Sequence, residues 1–158
     1  MVVAILRIFF REESLFRSRR ESRERPEPTR QESLFRNPRR ILGEASEAAA
    51  CRFLVQRGYQ IVARNVQFRS GELDIVATDG KSWIFVEVRS RRSESDPDIA
   101  ATVTPAKQHR VIRAALEYLR SSGGPRKPLR FDVITVLWPK DNPGNPEITH
   151  WESAFGCD

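Results

Sequence analysis

Apolar and polar residues alternate most regularly between residues 71 and 91, and this pattern predicts a β-hairpin. Its two arms read Gly71-Glu72-Leu73-Asp74-Ile75-Val76-Ala77 and Phe85-Val86-Glu87-Val88-Arg89. The dipeptide Asp79-Gly80 between them is a strong signal for a two-residue turn. The pairs set by such a turn would be Thr78 with Lys81, Asp74 with Phe85, and Glu72 with Glu87.

The two faces of this hairpin differ in character, because successive side chains on a strand point to opposite faces. One face is entirely apolar and must be buried: Leu73, Ile75, Ala77, Ile84, Val86 and Val88. The other face is apolar only near the turn and then carries Asp74, Glu72, Glu87 and Arg89. Like charges opposed on a half-buried sheet repel each other. Carboxylate oxygens suit Mg²⁺ or Mn²⁺, so a bound divalent cation would relieve this repulsion.

The rest of the chain predicts two helices and three further strands. A helix is expected from Ile41 to Gly58, with an apolar stripe formed by Ile41, Leu42, Ala45, Ala48, Ala49, Phe53 and Val55. A second helix should begin at Thr104-Pro105, a capping residue followed by a proline, and run to about Arg120. Strands are expected at 59–66, 131–137 and 147–151, and a polar loop at 90–103. The predicted fold is an α/β mixed sheet flanked by helices, in the order α-β-β-β-α-β-β.

Charge divides the chain into two parts. The net charge is +6, and residues 1–40, with 11 Arg and 6 Glu, contribute +5 of it. We therefore predict a basic, disordered extension over residues 1–40 and a folded domain over residues 41–158. A tail that folds on an acidic partner is an alternative, as is a misassigned start with the domain beginning near Arg39.

Cysteine content and hydropathy favour a cytoplasmic protein. Cys51 and Cys157 are the only cysteines, and two cannot form a disulfide framework or a zinc site on their own. The apolar run from Val2 to Phe10 is broken by Arg7 and is too short to span a bilayer. No cleavage site for a signal peptide follows it, so neither a signal peptide nor a membrane partner is expected.

Several other residues have both a functional and a structural interpretation. Glu44 lies at the edge of the first helix's apolar stripe, whereas Glu47 is expected to point away from the core. Lys107 and Arg110 lie in the first turns of the second helix, where cations oppose the helix dipole unless an anion such as phosphate binds there. Asp132 is as compatible with a structural hydrogen bond as with a site. His109 and His150 are expected to serve packing or the surface, and Trp138 and Trp151 are expected to serve packing.

Residues 41–155 resemble the YraN-like family of small bacterial proteins, which is related to archaeal Holliday-junction resolvases and to restriction endonucleases. The matching motifs are Gly43-Glu44, Gly58-Tyr59, Arg64-Asn65, Gly71-Glu72-Leu73-Asp74, Phe85-Val86-Glu87-Val88-Arg89 with Arg91, Thr104 with Lys107, Phe131-Asp132-Val133 and Ala154-Phe155. Jointly these motifs are specific, although each alone is weak. The resemblance implies a restriction-endonuclease-like fold.

The resemblance also implies a site. The superfamily's pattern is an Asp, then Glu-x-Lys on the next strand, often with a Glu from the first helix. Carried over, the catalytic residues are Asp74, Glu87, Arg89 and Glu44, and Asp74 and Glu87 would hold Mg²⁺ or Mn²⁺. Clustering on the hairpin face adds Glu72 to the expected metal ligands. Together with Arg91, the helix residues Lys107 and Arg110 are expected to bind nucleic acid. The chain departs from the pattern at Arg89, because an arginine cannot accept a proton as a lysine can.

The function expected from this resemblance is nucleic-acid binding, with metal-dependent cleavage of DNA as its enzymatic form. Resolvase-like action would require a homodimer. The alternatives are a non-catalytic nucleic-acid-binding module that retains the nuclease fold and a protein-interaction module.

Overall fold

A computed structural model describes residues 37–91, 103–122, 127–142 and 144–156. Most of the predicted extension and of the predicted 90–103 loop lies outside these ranges. The elements, in chain order, are α1 (Pro38–Gln56), β1 (Gln60–Phe68), β2 (Gly71–Thr78), β3 (Trp83–Arg91), α2 (Pro105–Ser122), β4 (Leu129–Leu137) and β5 (Glu147–Phe155). The predicted fold class and the order α-β-β-β-α-β-β are confirmed.

The five strands form one mixed sheet in the order β1-β2-β3-β4-β5. Only β3 and β4 are parallel, and the crossover between them contains α2. Helix α1 packs on one face of the sheet, against a cluster that includes Ile75, Ala77, Ile84 and Val86. Helix α2 packs on the other face, against a cluster that includes Val76, Phe85 and Phe131.

The hairpin between β2 and β3 closes with four residues rather than two. Thr78 pairs with Trp83, and not with Lys81 as the Asp79-Gly80 signal predicts. The Asp79 side chain accepts hydrogen bonds from the backbone N–H groups of Lys81 and Ser82, which stabilises the longer turn. A change of two residues leaves the paired side chains, from Ile75 to Thr78 and from Trp83 to Val86, on their predicted faces. It also means that neither the predicted pair of Glu72 with Glu87 nor that of Asp74 with Phe85 forms.

Helix α1 begins three residues earlier than predicted and buries a different face. The Asn37 side chain caps its N-terminus by accepting a hydrogen bond from the Arg39 N–H. The buried residues are Ser46, Ala49, Ala50 and Leu54, whereas Ile41 and Val55, expected in the stripe, are exposed. The hydroxyl of the buried Ser46 accepts a hydrogen bond from Trp138 Nε1 at 2.8 Å. The helix is therefore rotated about its axis relative to the prediction.

The β1–β2 ribbon changes direction at Asn65, which has a φ of 49°. Asparagine tolerates this left-handed conformation better than most residues. Before this point the ribbon faces α1 through Ile75; beyond it, Leu73 packs in the cluster under α2. The prediction that Leu73 shares a buried face with Ile75 is therefore wrong. Asn65 lies opposite Asp74, since its neighbours Arg64 and Val66 pair with Ile75 and Leu73.

Helix α2 lies close to the start of β2. A Cβ on Gly71 would stand 3.0 Å from the Arg110 carbonyl oxygen, so only glycine allows this approach. At the helix N-terminus, the backbone N–H of Lys107 bonds the Thr104 carbonyl at 2.8 Å, which confirms the predicted start. The contact with Gly71 holds the first turns of α2 beside the strand that carries Asp74.

No helix in the described ranges is long and apolar enough to cross a membrane.

Candidate functional site

The site forms where β2 and β3 separate. Their pairing runs from Thr78–Trp83 to Ile75–Val86, so Asp74 comes opposite Glu87. Beyond this point the Val88 N–H of β3 donates its hydrogen bond to a side chain of β2 instead of the β2 backbone: Asp74 Oδ2 accepts it at 2.8 Å. Burial raises the pKa of Asp74, and the charge of Glu72 raises it further. The Val88 hydrogen bond and the charge of Lys107 lower it by less, so the pKa of Asp74 stays above its ordinary value. The register thus places two carboxylates together.

Glu87 is the most deeply buried acid of this group, with 3% of its surface exposed. Its Oε1 lies 3.1 Å from Lys107 Nζ and 3.6 Å from an Arg89 guanidinium nitrogen. Burial, followed by the neighbouring charge of Asp74, nevertheless raises the pKa of Glu87 to about 7. The two cations therefore compensate only part of the cost of placing a carboxylate here.

The first helix contributes Glu47 to this group. The prediction that Glu47 points away from the core is wrong: burial raises its pKa, Asp74 and Glu72 raise it further, and the Asn65 side chain hydrogen-bonds to it. Glu44, the predicted residue, forms an ion pair with Arg40 at 3.0 Å, with 41% of its side chain exposed. The rotation of α1 explains the difference, because it turns Glu47 toward the break in the sheet.

Three buried side-chain atoms around this break have no hydrogen-bond partner within the described ranges: Glu47 Oε2, Glu87 Oε2 and Arg89 Nε. Such atoms are uncommon in native proteins, and each costs about 1–3 kcal/mol when left unsatisfied. Two are carboxylate oxygens and the third is a guanidinium donor. A divalent cation for the oxygens and an anionic oxygen for the donor would satisfy all three.

The remaining predicted site residues lie around this centre. Glu72 is exposed and accepts a hydrogen bond from Gln67 at 3.4 Å. Arg91 follows Arg89 on the same face of β3, and Arg110 is exposed on α2 beside Gly71. In the described part of the chain, no group of three or more His, Cys, Asp or Glu side chains is arranged to hold a metal ion. Asp74 and Glu87 are neighbours, but the Lys107 ammonium group contacts Glu87 Oε1 at 3.1 Å.

A second ionic cluster lies on the other face of the sheet, around Asp132. Asp132 is fully buried and binds Arg130 through both carboxylate oxygens, His150 Nε2 at 2.8 Å and the Ser153 N–H at 3.0 Å. Burial acts to raise the pKa of Asp132, but the hydrogen bonds from His150, Arg130 and Ser153 outweigh it and lower the pKa. The structural interpretation of Asp132 is therefore the one observed. Its bond to His150 could not be predicted, since the two residues are far apart in sequence.

The fold and the break between β2 and β3 define an α/β domain with an ionic site built into its sheet. Residues 46–136 match the uncharacterised protein family UPF0102, and the chain belongs to this family. This confirms the YraN-like resemblance. A UPF0102 protein of Symbiobacterium thermophilum is 50% identical over 97 residues, which are 61% of this chain and 82% of that protein. One of Anaeromyxobacter dehalogenans is 40% identical over 120 residues, 76% of this chain and 87% of its own length.

Among solved structures, Pyrococcus furiosus SfsA in complex with Ca²⁺ aligns with 72% of this chain and 63% of its own. The TM-score is 0.31 and the sequence identity is 16%. At this level of similarity the alignment carries no functional argument.

Proposed function

We propose that this domain is a divalent-metal-dependent phosphodiesterase that acts on nucleic acid, with DNA as the expected substrate. The observation that supports the proposal is a set of unsatisfied atoms on residues that each interact with Asp74: Glu47 Oε2, Glu87 Oε2 and Arg89 Nε. Buried carboxylates with raised pKa values beside a charged partner are typical of functional sites.

In this proposal Asp74 and Glu87 hold Mg²⁺ or Mn²⁺ jointly, and Glu47 and Glu72 lie at the edge of the site. Oxygen donors of this kind fit these cations. When bound, the cation would supply polarisation of the phosphate and activation of water.

The basic residues bind and orient the phosphate. Arginine stays protonated, so Arg89 acts as a fixed cation and takes no proton. Lys107 reaches Glu87 from helix α2 and supplies the ammonium group that the endonuclease pattern has at the position of Arg89. Arg91 and Arg110 would contact neighbouring phosphates. Cleavage of a four-way junction would in addition require a homodimer.

One observation favours a second function, a non-catalytic nucleic-acid-binding module. Lys107 Nζ already lies 3.1 Å from Glu87 Oε1, so the ion pair can serve folding alone. Such a module would bind nucleic acid with or without a metal ion and would not cleave it.

A cleavage assay separates the two functions. Linear, flapped and four-way DNA and a matched RNA are incubated with the protein and Mg²⁺ or Mn²⁺. The proposal predicts cleavage that falls by about 10²-fold or more in Glu87→Gln and in Asp74→Asn, a loss comparable to removing one preorganised charge-stabilising group. Glu44→Gln, purified identically, is the control and should cleave normally. Binding without cleavage by the wild type would support the binding module, and equal cleavage by all variants would indicate a contaminant.

A further inference from the structure

An exposed tryptophan lies in line with the acidic site on the same face of the sheet. In the parallel pair β3–β4, Glu87 stands beside Val133; in the antiparallel pair β4–β5, Val133 stands opposite Trp151. Residues paired across strands share a face. Two strand spacings place Trp151 about 10 Å from Glu87. Trp151 was expected to serve packing, but 43% of its surface is exposed.

The backbone on both sides of Trp151 is fixed from the opposite face. His150 is bound to the buried Asp132, and Glu152 accepts hydrogen bonds from Arg130 and from the Tyr59 hydroxyl. The strand also carries an irregularity between its pairs with Val133 and Phe131, where the Ser153 N–H bonds to Asp132. Asp132 and Arg130 thus hold β5 in the register that presents Trp151. A rigidly held aromatic loses little entropy when it binds a ligand.

The charges on this face fit a nucleic-acid strand. Arg89 and Arg91 alternate with the half-buried Val88 and Ser90 along β3 and lie on the same face as Trp151, and Lys107 reaches that face from α2. Cations that contact phosphates, combined with an aromatic side chain that stacks on bases, are the usual features of a single-strand binding surface. Nucleotides stacked at about 3.4 Å each span the distance from Glu87 to Trp151 in roughly three steps.

We propose that Trp151 is a stacking platform for an unpaired nucleobase, about three nucleotides or fewer from the phosphate that Arg89 and Lys107 hold beside Glu87. This rests on the proposed function and specifies its substrate class. A base inside a duplex has both faces covered by its neighbours, so only a single strand, a flap or a frayed end offers a free face. Trp151 lies outside residues 46–136 that match the family.

The test measures binding in EDTA, where no metal-dependent cleavage occurs. Wild type, Trp151→Ala and Trp151→Phe are titrated with a single-stranded oligonucleotide, an abasic oligonucleotide of equal length and a blunt duplex. Trp151→Ala should bind the single strand about 5- to 150-fold more weakly, the equivalent of 1–3 kcal/mol for one stacked base. Binding of the abasic strand and the duplex should change less than about twofold, and Trp151→Phe should recover most of the affinity.

Two controls separate stacking from loss of structure. Leu116→Ala removes another exposed apolar side chain, on α2, and should leave single-strand binding unchanged. Stacking should also quench tryptophan fluorescence in the wild type but not in Trp151→Phe, since Trp83 is buried and Trp138 is bonded to Ser46.

The outcomes distinguish this inference from the proposed function. Equal single-strand affinity in wild type and Trp151→Ala would overturn the stacking platform and leave the metal site intact. Equal losses on the abasic strand would do the same, because they would reflect phosphate contacts or misfolding. A wild type that binds none of the three nucleic acids would contradict both.

Discussion

Replacing Glu87 with glutamine should stabilise the metal-free protein above neutral pH. Glutamine has the shape of the protonated carboxyl group. The pKa of Glu87 rises from its ordinary value of 4.5 to about 7 in the folded protein, because of burial and then the charge of Asp74. A difference of this size corresponds to about 3 kcal/mol, since one pKa unit is 1.36 kcal/mol. Burial of 97% of the residue means that solvent screens little of this effect.

The sign follows from proton linkage. Folding favours the protonated Glu87, so its stabilising contribution is fully present below pH 4.5 and is lost as the pH rises to about 7. The wild type and Glu87→Gln should therefore have similar free energies of unfolding near pH 4.5. By pH 8, Glu87→Gln should be more stable by about 3 kcal/mol.

Urea denaturation of both proteins between pH 4.5 and 8.5 measures this difference. Groups that titrate alike in both proteins cancel when the two curves are subtracted. Saturating Mg²⁺ or Mn²⁺ at pH 8 should then stabilise the wild type and not Glu87→Gln, because a ligand stabilises only the state that binds it. Curves that stay parallel across the pH range, or a Glu87→Gln protein less stable than the wild type at pH 8, would refute the reasoning.

Three further predictions concern other parts of the chain. Arg89→Ala should reduce cleavage about 10²-fold while weakening DNA binding much less, and Arg89→Lys should retain cleavage; undiminished cleavage by Arg89→Ala would remove it from the site. Asp132→Ala should lower the free energy of unfolding at pH 7 by about 3–5 kcal/mol, because the hydrogen bonds of the buried Asp132 with Arg130, His150 and the Ser153 N–H are lost together. A loss below about 1 kcal/mol in urea denaturation would contradict this. A chain beginning at Asn37 should fold but bind DNA more weakly and with a smaller salt dependence than the full chain, because residues 1–36, which it lacks, hold 9 Arg. Equal salt slopes in fluorescence anisotropy would show that the extension does not contact phosphate.

The sequence predicts the fold well because its strongest signals are local. Thr104-Pro105 marks a helix start, Gly58 follows the end of α1 with a φ of 86°, and alternation marks the strands. The details that failed depend on contacts between distant residues. The side chain of Asp79 stabilises a four-residue turn, and the two-residue signal of Asp79-Gly80 cannot reveal that.

The carboxylates on β2 and β3 could be predicted because alternation alone puts them on one face. The acid from α1 could not, because the choice between Glu44 and Glu47 depends on how the helix is rotated. Apolar content favours the stripe of Ile41 and Val55, whereas close packing on the sheet selects the small side chains of Ser46, Ala49 and Ala50. A left-handed asparagine at position 65 carried a weak signal, since asparagine is enriched in that conformation.

Calorimetric titration of Mn²⁺ into the metal-free protein tests the central claim most directly. The proposed site predicts saturable binding to the wild type that is lost in Glu87→Gln and in Asp74→Asn and is weakened in Glu47→Gln. Glu44→Gln, which changes a half-buried glutamate that pairs with Arg40 on α1, should bind Mn²⁺ as the wild type does. Equal heats of binding in the wild type, Glu87→Gln and Asp74→Asn would contradict the metal site, and with it the assignment of these carboxylates to phosphodiester cleavage.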